Sequence, residues 1–200
     1  MIKIAFPHMG DYHIPANYLL SHIFPNTIVI KAPKITSKTI ELGTEHSPEF
    51  VCTPFKYTLG TMIECLDEGA NILIQMGGGC RYGYYAELQE KILKDLDYTC
   101  KVINLVTEGQ TNIKRINNLL KQIDPKYSKI KALYYGFITL KMVKYMDKID
   151  DYIRENIGFE LTVGSFESLK EEMLITFSHV KSYKELYRAY KSGVNSETPD

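Results

Sequence analysis

Tryptophan is missing from the 200 residues, and no apolar run approaches the ~20 residues that a membrane span requires. An excess of one charge is missing too. Lys+Arg and Asp+Glu number 24 each, so the formal net charge is zero and no global field draws the chain to nucleic acid or to an acidic membrane. Cysteine is sparse: Cys52, Cys65, Cys80 and Cys100 are spread out with no CxxC pair, which speaks against a disulfide framework and leaves metal, cluster or plain burial. The amino terminus runs into a strand without a signal-peptide core, so a cytoplasmic protein is expected. No Gly-Lys-Ser/Thr of a phosphate-binding loop, no GxGxxG and no GxSxG elbow occurs. Internal repeats and low-complexity segments are absent as well, and the 15 tyrosines read as amphipathic packing.

A hydrophobic fraction of 44% is ample for a core, and the length suits one compact domain with a helical appendage. Short β-branched runs alternate with helical periodicity. Ile2 to Phe6 reads as a strand, followed by a loop through His8 and His13 and a helix begun by Pro15, with Leu19, Leu20 and Ile23 inward. Thr27 to Ile30 is a second strand, and Thr36 to Leu42 a short helix stopped by Gly43. Leu59, Met62, Ile63 and Leu66 follow the i, i+3, i+4, i+7 spacing of an amphipathic helix closed by Gly69. Ile72 to Met76 is a third strand, Tyr85, Leu88, Ile92 and Leu96 the inner face of the next helix, and Lys101 to Val106 a fourth strand. The expected fold is α/β, a parallel sheet of about four strands flanked by helices, with a helical C-terminal extension. Expected boundaries are 1–110 for the α/β domain with the Cys52 and Cys80 motifs, 111–191 for the helical extension, with Ser165, Glu167 and Ser168 as caps of its penultimate helix, and 192–200 for a polar tail.

Chemistry concentrates in Gly77-Gly78-Gly79-Cys80-Arg81-Tyr82-Gly83, between an apolar strand and a helix. A cysteine at a helix start meets the macrodipole and unpaired N–H groups, which favour the thiolate. Gly78 and Gly79 leave the backbone bare for close approach, and Arg81 adds a fixed cation. Cys52, ahead of Pro54, occupies a second helix start with Lys56 beside it, so the two thiols can converge across 28 positions. The competing reading is that the glycines form a tight turn and the cysteines are small buried hydrophobes. Cys65 and Cys100 lack glycine, cation or loop context and read as structural. His8 and His13, in the first strand-to-helix loop, are candidate ligands or acid–base groups, and His46 beside Glu45 and Glu49 is a loose metal-like cluster.

Glu49-Phe50-Val51-Cys52-Thr53-Pro54-Phe55-Lys56, with Gly78-Gly79-Cys80-Arg81-Tyr82-Gly83-Tyr84-Tyr85 and the opening Ile4-Ala5-Phe6-Pro7-His8-Met9-Gly10-Asp11-Tyr12, resembles the 2-hydroxyacyl-CoA dehydratase superfamily, most closely its acyl-CoA dehydratase activase-related branch, over residues 2 to about 110. The resemblance implies a flavodoxin/Rossmann-like domain in which Cys52 and Cys80 are metal ligands of a [4Fe-4S] cluster, serving electron transfer or cluster carriage in radical dehydration of an acyl-CoA. It also implies a second α/β domain or subunit that supplies the remaining thiolates, and activity only in a dehydratase (lyase) system, not in this chain alone. Two other readings are a non-catalytic assembly module of the same fold and a small-anion or CoA-binding domain without a cluster, with Arg81 and the helix N–H groups receiving an anion such as a CoA phosphate.

Overall fold

Four apolar tetrapeptides form one parallel sheet in a computed structural model that describes residues 1–75, 85–105 and 112–195. Strands β1 (Ile2–Ala5), β2 (Thr27–Ile30), β3 (Ile72–Gln75) and β4 (Lys101–Asn104) stand in the order β2-β1-β3-β4. Ile4 pairs with Val29 on one side and Ile72 on the other, and Leu73 continues the ladder to Val102. Burial follows position: central β3 is covered at all four residues and central β1 at Ile4 and Ala5, whereas β2 and β4 are partly open edges. The order reverses direction between β1 and β3. Open α/β sheets take ligands at such a switch point, beyond the carboxyl ends of the strands.

The helices are α1 (His13–Ile23), α2 (Ser37–His46), α3 (Thr53–Asp67), α4 (Tyr85–Asp95) and α5 (Ile113–Ile123), followed by α6 (Lys129–Asn156), α7 (Ser165–His179) and α8 (Tyr183–Asn195), and α2 to α5 flank the sheet. Helix α3 buries Leu59, Met62, Ile63 and Leu66 in one core with Phe55, Cys65, Leu73 and Leu93. It ends as expected at Gly69, whose φ of +90° suits glycine, with Gly69 N–H donating to Leu66 O and Ala70 N–H to Cys65 O.

Three local expectations change. Gly43 does not stop α2, which runs on to His46 from a reciprocal cap between Thr36 and Thr39. A Cβ at Gly43 would overlap the Lys56 carbonyl, and one at Gly60 the Thr39 carbonyl, so both glycines mark a backbone-to-backbone crossing of α2 and α3. The inner face of α4 is Ala86, Gln89 and Leu93, with Tyr85, Ile92 and Leu96 at its margin and Leu88 exposed. Apolar spacing misses this face because its centre is polar: the buried Gln89 amide accepts from Gln75 Nε2 at 2.9 Å and donates to Phe55 O at 3.4 Å. At α7 the cap is supplied by Glu160, whose carboxylate accepts from Phe166 N–H at 2.9 Å and from the Ser165 hydroxyl, while the N-cap position is Gly164.

Contacts divide the chain into two units. One is Met1–His13 with Phe24–Lys129 and holds the sheet, α2 to α5 and the core around α3. The other is Ile14–Ile23 with Ile130–Asp200, and among its described residues Tyr18 of α1 packs with Ile138, Met142, Ile149, Phe177 and Leu186. This division departs from the expected 1–110, 111–191 and 192–200. Helix α5 groups with the sheet, where Lys101 Nζ donates to Gln122 O, and α1 groups with the helices, where its Tyr18 and Ile14 pack. Among the described residues no helix is long and apolar enough to cross a membrane.

Candidate functional site

The carboxyl end of β3 meets two helix starts. Helix α3 runs antiparallel to the strand it precedes, so its last turn lies by the amino end of β3 and its first turn lies near Gln75. The Gln75–Gln89–Phe55 hydrogen bonds fasten that end together, joining β3, α4 and α3 below the surface. Above them the Phe55 and Tyr85 rings meet edge to face at 5.0 Å.

Cys52 is the N-cap residue of α3, exposed, with Pro54 in the first turn, as the sequence leads one to expect. Its sulfur lies 2.7 Å from the hydroxyl of Tyr85, the first residue of α4. That hydroxyl donates to the sulfur when it is a thiolate. This hydrogen bond is the main reason the Cys52 pKa falls below its ordinary value; the small burial works the other way, and the Phe55 N–H at the helix start adds to the lowering without closing a cap hydrogen bond. Lys56 is half-buried one turn into α3, its N–H on Cys52 O and its carbonyl against Gly43. Gly78, Gly79, Cys80 and Arg81 lie outside the described residues, which resume at Tyr85.

The other cysteines have different surroundings. Cys65 is fully buried in the α3 core, and burial first, with Glu68 and Glu64 nearby, pushes its thiol up to about 12. Cys100 precedes β4 at the amino end of the sheet, opposite Cys52, where burial and Glu90 raise its pKa. Neither stands at the carboxyl end of β3 with Cys52: Cys65 lies inside the α3 core and Cys100 at the opposite end of the sheet. A four-thiolate cluster therefore fits only in part: among the described cysteines Cys52 alone is exposed at the carboxyl end of the sheet.

The histidines have local partners of their own. His13 Nδ1 is 2.8 Å from Gly10 O at the start of α1. His8 is half-buried, and burial first and His13 second lower its pKa, opposed by Asp11. His46 lies 4.0 Å from Glu45 on an exposed turn of α2. Among the described residues no three His, Cys, Asp or Glu side chains converge as a metal site. Tyr85 is the partner of Cys52 that periodicity hides, since it reads as part of a helix face; the available signal is its position two residues after the glycine-cysteine run.

Compared with known proteins, the chain matches no family model, no curated protein and no solved structure.

Proposed function

We propose that the chain is an iron–sulfur domain of the 2-hydroxyacyl-CoA dehydratase kind, working in the cytoplasm, where thiols stay reduced. It holds one edge of a [4Fe-4S] cluster for electron transfer or cluster carriage in the radical dehydration of an acyl-CoA. The observation that carries this reading is the exposed Cys52 sulfur at a helix start, hydrogen-bonded by Tyr85, the first residue of the helix that follows Gly78-Gly79-Cys80-Arg81 in the chain. A bound cluster supplies a one-electron carrier.

In this reading Cys52 and Cys80 are the ligands. Tyr85 donates to the Cys52 sulfur, which favours a ligating thiolate and spreads its charge. Arg81 and Lys56 balance the net negative charge of a thiolate-ligated site, and Gly78 and Gly79 admit a bulky inorganic group. Since Cys65 lies inside the core and Cys100 at the opposite end of the sheet, the missing ligands come from a second α/β domain or subunit.

Anaerobic reconstitution with ferric iron, sulfide and an excess of mercaptoethanol, which reduces half of the iron to the ferrous state and stands in for the partner's thiolates, tests the reading. The expected product is brown, with iron and sulfide in equal amounts, and Cys52→Ser bleaches it. Iron-free, colourless protein from the same treatment would leave a folded assembly module in place of a cluster domain.

A further inference from the structure

The first half of α6 carries a second apolar face. Ile138, Met142, Tyr145 and Met146 pack into the helical core, whereas Ile130, Leu133, Tyr134, Phe137 and Leu140 lie on another side and are 48–82% exposed. At about 100° and 1.5 Å per residue these five share an arc of about 120° and a length of about 15 Å. This is a stripe of large side chains, not a scatter of single exposed residues.

Charge tells what would cover it. From Lys129 to Met146 the helix has four lysines and no acidic residue. Lys141 and Lys144 continue the same arc. Lys141 Nζ sits 5.4 Å from the centre of the exposed Phe137 ring, which lies 5.5 Å from the Tyr183 ring, and Lys191 stands over the exposed Tyr187. The net charge of zero averages over this local excess. A second copy docked symmetrically would set lysine against lysine. A surface of one helix, apolar along its crest and edged by lysine and tyrosine, suits a soft anionic interface: the aliphatic groups enter below the headgroups and the tyrosines and ammonium groups stay level with them.

We propose that the amino-terminal half of α6 is a peripheral docking face for an anionic lipid surface. Flotation of the full chain with phosphatidylcholine vesicles, with and without about a third phosphatidylserine, tests this. Expected are binding to the phosphatidylserine vesicles alone, weakening with salt, a loss of about fivefold or more for each of Lys141→Glu and Lys144→Glu, and abolition by the pair Leu133→Asp and Leu140→Asp with the far-UV circular dichroism unchanged. No flotation with phosphatidylserine vesicles, equal binding to phosphatidylcholine alone, or unaltered binding by the variants overturns it. Two further outcomes also overturn it: a solution dimer that Leu133→Asp dissociates makes the face a contact between copies, and binding to a polyglutamate peptide but not to vesicles makes its partner an acidic protein.

Discussion

Replacing Gly43 by alanine probes the helix crossing that fixes the start of α3, and so the position of Cys52. Helix propensity alone favours the change by about 1 kcal/mol, because glycine is a poor helix former. The packing opposes it. A Cβ at Gly43 would overlap the carbonyl oxygen and carbon of Lys56, and a Cβ at Gly60 the carbonyl of Thr39. These are backbone atoms inside hydrogen-bonded helices, so relief requires α2 and α3 to move apart within a close-packed core. Overpacking costs about 1–3 kcal/mol, and a clash with rigid backbone belongs at the upper end; subtracting the propensity gain leaves a net loss of about 2 kcal/mol. Gly136 is the control: it lies within α6 with nothing inside 4 Å of a new Cβ, and alanine there should stabilise by about 0.5–1 kcal/mol. Urea unfolding followed by far-UV circular dichroism reads both, with the midpoint moving and the slope held. Gly60→Ala should behave as Gly43→Ala does, and both should alter the alkylation rate of Cys52 by shifting the first turn of α3. If Gly43→Ala stabilises as much as Gly136→Ala, the two helices do not meet at these glycines and the reasoning fails.

Tyr85→Phe removes the hydroxyl on the Cys52 sulfur, so the thiol should titrate at higher pH and alkylate more slowly near neutrality, as followed by mass spectrometry of the labelled peptide; an unchanged rate would exclude the hydrogen bond. In the native protein Cys52 should label ahead of Cys100, and Cys65 only on unfolding, because it is fully buried and burial holds its thiol up at about 12. His8 binds its proton less readily in the folded than in the unfolded chain, so its contribution to stability is full above 6.5 and declines as the pH falls through the lowered folded value. His8→Gln should flatten that acid limb of the urea midpoint. Glu160 has the analogous sign: the N–H of Phe166 lowers its pKa, so its capping contribution is present above 4.5 and is lost on further acidification, and Glu160→Ala should lower the melting temperature at neutral pH but much less in acid.

Much of this architecture is written in short stretches of the chain. The β2 strand at Thr27–Ile30, the inward stripe of α3, the glycine that ends it and the placement of Cys52 ahead of Pro54 all follow from signals that span only a few residues. Helix caps and turns close their hydrogen bonds within about five residues, so their chemistry is local. Other features depend on neighbours remote in sequence. Gly43 looks like a helix stop until α3 is laid across it, Gln89 looks like a surface residue until Gln75 and Phe55 are brought to its amide, and Glu160 gives no sign of capping α7 until the loop before that helix turns back. The approach of Tyr85 to Cys52 spans 33 positions and exists only because β3 lies between α3 and α4, with both helix starts at its carboxyl end. A thiol suited to ionisation was legible from its helix start. The hydroxyl that stabilises its charge was not, because strand order, which no local pattern encodes, sets which side chains meet across the sheet.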